Sequence, residues 1–177
     1  VSAAADVPDD VTDEQLAERV IVALVASGRR IAVAESLTGG LLTAVLVGVP
    51  GASRALLGGI VSYDTALKRT ILGVESSILA VHGAVHPDVA RQMARGVRQA
   101  CAIDGRPADI GVSTTGAAGP DPQDGQKPGT AFVGLSIDGD SRAIALHLDG
   151  DRQAVRAGVV HEALVALVEA LDPAGNI

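Results

Sequence analysis

Aromatic residues are nearly absent from this chain of 177 residues, which has one Tyr, one Phe and no Trp. Proteins that hold single-stranded nucleic acid by stacking need aromatic platforms, and here there are almost none. Basic charge is scarce too. Fourteen Lys and Arg stand against twenty-one Asp and Glu, a formal net charge of −7. That balance argues against a nucleic-acid backbone as the main partner, because such binding rests on clustered Lys and Arg. A single cysteine, Cys101, excludes an internal disulfide and a cysteine-based metal cluster. In its apolar helical setting it reads as a small core residue. No apolar run reaches the roughly 18 residues of a membrane span, so no membrane partner is expected. The first ten residues are small and acidic, unlike a signal peptide, which leaves the cytoplasm as the expected location. No Asp/Glu/His group has convincing metal-ligand spacing, and neither metal nor cofactor is expected.

What the chain does have is small aliphatic side chains, with 47% of its residues hydrophobic. Val, Leu, Ile and Ala are the usual filling between helices and a largely parallel sheet. The length suits one domain, read as 12–172, with a disordered lead at 1–11 and a tail at 173–177. Thr12-Asp13-Glu14-Gln15 reads as a capping box opening an amphipathic helix that Gly28 ends. A buried strand, Ile31–Glu35, runs into an uncharged helix over 38–47. Because it has no polar face, that helix is expected to be covered by other elements or a second subunit. A strand over 59–63 is followed by two short helices, the first reaching 72. Pro87 opens a longer helix with Val89, Met93 and Val97 on one face. Strands over 108–114 and 131–137, a hairpin turn at Asp138-Gly139-Asp140, an edge strand over 142–148 and a last helix complete the chain. Helices interleaved with strands give the α/β class: a three-layer α/β/α sandwich on a mixed, mostly parallel sheet of about five strands. Ligands of such sheets bind beyond the carboxyl ends of the strands.

Three motifs fall there. In Ala34-Glu35-Ser36-Leu37-Thr38-Gly39-Gly40 a strand breaks into a helix at a hydroxyl flanked by glycines. Ser36 there is either an N-cap, a role Thr38 could also fill, or a nucleophile. The N–H groups of 37–40, including Gly39 and Gly40, are candidate oxyanion donors. The second motif holds Tyr63 and Lys68. None of the four histidines has a convincing Ser-His-Asp context, and the chain has only two lysines, Lys68 and Lys127, beside twelve arginines. Lys68 is read in the first turn of a helix, where the dipole disfavours a cation and favours the neutral amine. Burial adds to this, and a neutral lysine can serve as the base for serine. If it does, it should lie about 3 Å from Ser36. Tyr63 could hydrogen-bond either partner. The third motif, Thr114-Thr115-Gly116-Ala117-Ala118-Gly119-Pro120, is either a structural turn or a nest of N–H groups for an anion or a planar ring. Thr130 re-enters the sheet nearby. Arg152 and Arg156, one turn apart, either form a solvated face or grip a phosphate or carboxylate.

Together these residues resemble the C-terminal domain of the CinA family, the competence/damage-inducible proteins, over about 13–171. The family motif Ala-Glu-Ser-Cys-Thr-Gly-Gly corresponds to Ala34 through Gly40, with Leu37 in place of Cys. Gly58-Gly59-Ile60-Val61-Ser62-Tyr63, Lys68 with Ile71-Leu72-Gly73-Val74, His82-Gly83-Ala84-Val85, Thr115 through Pro120 and Gly150-Asp151-Arg152 fit as well. The family often has Asn where Thr65 stands, and Ser or Glu where His86 and Pro87 stand. Larger members carry an N-terminal domain that these 177 residues do not contain. The resemblance implies nicotinamide mononucleotide deamidation in pyridine nucleotide salvage, by a homodimer without a metal. Ser36 would attack the carboxamide, Lys68 would move the proton and Tyr63 would assist. Thr115 and the glycine-rich loop would hold the nucleotide, and Arg152 or Arg156 would meet its phosphate. Two rival expectations are a nucleotide-binding regulatory module without turnover and a dimerisation module without a ligand.

Overall fold

The computed structural model describes residues 11–172. The expected lead and tail lie outside these, apart from Val11. The first helix, α1 (Asp13–Ser27), starts as the capping box requires. Thr12 Oγ1 accepts from the Gln15 N–H, and the Gln15 side chain accepts from the Thr12 N–H. Then follow β1 (Ile31–Glu35), α2 (Leu41–Val47), β2 (Leu56–Val61), α3 (Thr65–Thr70), α4 (Ser76–His82) and α5 (Pro87–Ala100). The chain closes with β3 (Ile110–Gly116), β4 (Thr130–Ile137), β5 (Asp140–His147) and α6 (Arg152–Leu171).

The five strands form one sheet in the order β2-β1-β3-β4-β5. β2, β1 and β3 run parallel, and β4 and β5 are antiparallel additions. One face carries α1, α2 and α6. There Ile31 and Val33 pack with Leu16, Leu24, Leu42, Leu46 and Leu164. On the other face Ala32 and Ala34 meet Leu72, Val89, Met93 and Val97. The three expected layers are therefore present. Each fully buried Leu, Val or Met contributes about 1.5–3 kcal/mol, so the aliphatic core compensates for the missing aromatics. α5 lies unusually close to the sheet. A Cβ at Gly111 would run into the Ala94 carbonyl, so only glycine admits that approach.

Several boundaries differ from the sequence reading: β3 spans 110–116 rather than 108–114, β5 140–147 rather than 142–148, and α3 ends at Thr70 rather than 72. Two further ones shape the site. β2 spans 56–61 rather than 59–63, because its register with β1 ends at the pair Glu35 and Val61 and the chain then leaves for α3. α2 begins at Leu41 rather than Thr38, because Gly39 and Gly40 take positive φ values of 61° and 104° that no helix continues through. Among the described residues the uncharged α2 is covered on one side only. Leu42 and Leu46 are buried, whereas Leu41 and Val47 are 40% and 61% exposed. Since β1, β2 and β3 are parallel, their carboxyl ends lie together. Ser36, the 62–68 segment and the loop after Gly116 therefore share one rim.

Candidate active site

Ser36 leaves β1 with its N–H bonded to the Thr114 carbonyl of β3 at 3.0 Å. Its side chain is 8% exposed. The turn that follows is organised by Glu35, a fully buried carboxylate. Glu35 accepts five hydrogen bonds. Thr38 Oγ1 (2.6 Å) and the N–H groups of Gly40 (2.9 Å) and Leu42 (3.1 Å) meet Oε2. The Thr43 N–H (2.8 Å) and hydroxyl (2.6 Å) meet Oε1. A negative charge at the start of α2 satisfies donors that a helix otherwise leaves unpaired. Ser36 is therefore not the cap of this helix, and its hydroxyl is left for another partner. Thr38 Oγ1 also contacts Thr114 Oγ1 at 2.7 Å, which ties the turn to β3.

That other partner is Lys68. Its Nζ donates to Ser36 Oγ at 3.0 Å, the separation expected of a base, and to the Ser62 carbonyl at 2.7 Å. The Tyr63 carbonyl is a longer third contact at 3.5 Å. Lys68 is fully buried. Burial is what brings its ammonium down to about 8 from an ordinary 10.5, against the opposing pull of the Asp64 and Asp124 carboxylates. The helix dipole is not the cause. α3 has six residues, and Lys68 falls in its second half. Asp64 caps that helix by accepting from the Ala66 N–H at 2.7 Å. Asp124 is anchored by the Ala84 N–H at 2.6 Å, which brings the 117–129 loop over the Lys68 side of the site.

The turn has fewer oxyanion donors than the sequence suggests. The Gly39 N–H bonds the Ser36 carbonyl, the Gly40 N–H bonds Glu35 and the Leu41 N–H bonds the Thr38 carbonyl. Among the described residues, the Leu37 and Thr38 N–H groups have no hydrogen-bonding partner. Of the four candidate donors at 37–40, Gly39 and Gly40 are spent and Leu37 and Thr38 are left.

The outer residues divide. Arg156 is committed to the turn, with Nε on the Leu37 carbonyl at 2.8 Å and Nη2 on the Thr38 carbonyl at 3.0 Å. Arg152 is exposed and joins the Tyr63 hydroxyl (3.0 Å) to the Gly119 carbonyl (2.9 Å) across the rim. The Tyr63 phenol is thus paired with Arg152 rather than with Ser36 or Lys68, and it is 62% exposed. Its distance from the dyad follows from β2 ending early. Thr115 is buried and its hydroxyl donates to the Ala84 carbonyl at 2.8 Å, so its proton is spent on holding the loop base. Gly116 is a β3 residue packed on Ala131. Thr130 is buried, and its N–H meets the Lys127 carbonyl. Thr130 and Lys127 line a separate cavity of about 480 Å³ with His147. Among the described residues no His/Cys/Asp/Glu group is placed to hold a metal ion, and no helix is long and apolar enough to cross a membrane.

Sequence reasoning missed Glu35, Asp124 and Ser62. For Glu35 a signal existed: a lone charge ends an apolar strand and directly precedes an uncharged helix start. Asp124 sits in a Gly- and Pro-rich loop that carries no such signal.

The profile of the CinA C-terminal domain matches residues 13–171. A CinA-like protein of Anaeromyxobacter sp. (strain Fw109-5) is 44% identical over 159 residues, which are 89% of this chain and 38% of that protein. The chain spans between 33% and 38% of the length of the first curated relatives it matches. Among solved structures, a CinA superfamily protein from Klebsiella pneumoniae 700603 aligns with a TM-score of 0.84 at 33% identity, covering 91% of this chain and 98% of that one. A CinA superfamily protein from Escherichia coli aligns with a TM-score of 0.86 at 30% identity, covering 94% and 95%.

Proposed function

The chain belongs to the CinA C-terminal domain family, and from that premise we propose that it is an amidohydrolase, with Ser36 as nucleophile and Lys68 as general base. Its substrate in this reading is nicotinamide mononucleotide, converted to nicotinic acid mononucleotide and ammonia. The observation that carries the reading is the 3.0 Å contact between a fully buried lysine amine and a serine hydroxyl that caps nothing.

The chemistry follows from those two groups. Neutral Lys68 takes the Ser36 proton as Oγ bonds to the carboxamide carbon. The carbonyl oxygen becomes an oxyanion facing the Leu37 and Thr38 N–H groups, and one such donor is worth roughly 3–4 kcal/mol in a transition state. The Lys68 ammonium then protonates the leaving nitrogen, the C–N bond breaks and ammonia departs. Water attacks the acyl ester, Lys68 removes its proton, and Ser36 recovers its own.

Coupled ammonia release from nicotinamide mononucleotide, followed from pH 6 to 10, tests this. Only the neutral amine acts as the base, so the rate climbs about tenfold per unit at low pH and levels off above about 8, where Lys68 loses its proton. No ammonia at any pH, or a rate that falls between 6 and 8, removes the reading.

Arg152 is the phosphate ligand in this proposal. Its present partners are a neutral hydroxyl and a carbonyl, which a phosphate would outcompete. Arg152→Met is expected to raise KM about tenfold with kcat changed less than threefold, because the guanidinium binds substrate and transition state alike. An unchanged KM in the same assay removes Arg152 from the phosphate site. Arg156 does not share the role, since its guanidinium is spent on the turn carbonyls.

A further inference from the structure

Ser62 has a fully buried side chain whose hydroxyl has no hydrogen-bond partner among the described residues. Buried hydroxyls are nearly always paired, because an unpaired one forfeits its bonds to water and receives nothing in return. Such an atom persists where something else needs it.

Its position indicates what that is. The Ser62 N–H bonds the Glu35 carbonyl at 2.8 Å, so Ser62 continues the β1–β2 register one step beyond the pair Glu35 and Val61. Across the two strands it is the neighbour of Ser36. Ala34 and Ile60 both pack into the cluster on the α5 side of the sheet. Side chains two residues further on return to that side, which puts Ser36 and Ser62 on the face where Lys68 lies. The Ser62 carbonyl already accepts from Lys68 Nζ at 2.7 Å.

An ammonium has three N–H groups to place. At rest they meet the Ser36 hydroxyl, the Ser62 carbonyl and, at 3.5 Å, the Tyr63 carbonyl. When Oγ bonds to the carboxamide carbon it becomes a poor acceptor, and the N–H that carries the Ser36 proton turns to the leaving nitrogen. Of the other two, one keeps the Ser62 carbonyl at 2.7 Å and one has only the Tyr63 carbonyl at 3.5 Å. We propose that Ser62 is a positioning residue for Lys68: its hydroxyl turns about the Cα–Cβ bond to accept the N–H that the Tyr63 carbonyl holds only weakly, and so keeps the third N–H of the ammonium aimed at the leaving nitrogen. The proton that Lys68 carries is the one taken from Ser36. Ser62 gains and loses none. This inference rests on the Ser36–Lys68 reading above, and it explains why a costly unpaired hydroxyl stands beside the dyad.

The test needs no substrate. With only two lysines in the chain, NMR of labelled lysine gives two side chains to follow, and Lys68 is told from Lys127 by its loss in Lys68→Met. Ser36→Ala removes the resting partner of the amine, as bonding of Oγ to the substrate does. The double variant Ser36→Ala with Ser62→Ala then removes the proposed replacement. Asp64 and Asp124, whose charges reach Lys68, are the same in both proteins. The titration midpoint of Lys68 is expected to lie about 0.5–1 pH unit lower in the double variant than in Ser36→Ala, a three- to tenfold loss of proton affinity. Superimposable titrations overturn the proposal. In the enzyme with Ser36 intact, Ser62→Ala is expected to lower kcat about tenfold with KM within twofold, and Ser62→Thr to recover part of it. Thermal unfolding of Ser62→Ala should be unchanged or raised by about 2–4 °C, since no hydrogen bond is lost. A lowered Tm with unchanged kcat would make the hydroxyl structural and overturn the proposal as well. If the wild-type chain releases no ammonia, the deamidase reading fails, while the paired titrations still decide the role of Ser62.

Discussion

Lys68→Met abolishes turnover and yields a protein more stable at neutral pH than the parent. Both halves come from the burial of one amine. Ser36→Ala, Lys68→Met and the double variant should each lose about 10⁴-fold or more in kcat, and by similar amounts, because nucleophile and base act as a unit. The stability half follows from linkage. Lys68 loses its proton near 8 in the folded chain but at an ordinary 10.5 when unfolded. Between those values the unfolded chain binds more protons, so stability rises with pH across that window. Below about 8 the whole penalty of burying the ammonium is present, about 3 kcal/mol. Methionine fills a similar volume without the charge. The Ser62 and Tyr63 carbonyls lose their donor, which returns about 1 kcal/mol of the gain. A net stabilisation of about 1–2 kcal/mol is expected in urea unfolding at pH 7, shrinking toward zero or reversing above pH 10.5. A variant that keeps activity, or is destabilised at pH 7, contradicts the assignment of Lys68 as a strained functional base.

Glu35→Gln has the opposite signature, and its expected effect on the fold is the largest of any substitution considered. Five donors converge on the two carboxylate oxygens, three of them backbone N–H groups fixed by the turn and the start of α2. An amide supplies one oxygen and brings an NH₂ against donors that are already N–H and O–H. Losing those bonds inside the core is expected to cost about 3–5 kcal/mol, within the range for breaking a buried charged network. Activity falls with stability, because the same bonds shape the Ser36–Gly40 turn and leave the Leu37 and Thr38 N–H groups unspent. Equilibrium unfolding of Glu35→Gln, with Glu35→Asp as the shorter carboxylate, measures it. A loss below about 1 kcal/mol would show that the α2 start holds without Glu35.

Function and stability therefore oppose each other within one site. The burial cost of Glu35 is offset by five hydrogen bonds, whereas Lys68 and Ser62 each carry a burial penalty with fewer partners. Strained polar groups of this kind mark places where packing has yielded to chemistry.

Much of this was already legible in the residues, for identifiable reasons. Local patterns report local structure. The capping box at Thr12 and Gln15, Gly28 as the stop of α1 and the strand Ile31–Glu35 depend on near neighbours in the chain, and all three appear as read. Scarcity was also informative, since two lysines beside twelve arginines drew attention to Lys68. The pairing of Ser36 with Lys68 is different in kind. Thirty-two residues separate them, and their contact depends on β1 and β2 being parallel neighbours and on a short α3 turning the lysine back under the strand ends. The reason Lys68 is poised also changed, from a helix dipole to burial, which only the packed core creates. Tyr63 shows the same limit. Its place beside the dyad in sequence is real, yet β2 ends two residues before it and the ring swings out to Arg152. What the chain determined by itself is a serine in a glycine-broken turn, a rare lysine and a family pattern around them. The tertiary structure decided which oxygen that lysine meets, which carboxylate supports the turn and which hydroxyl was left unpaired, because each depends on atoms that only the sheet register and α3 bring within hydrogen-bond reach.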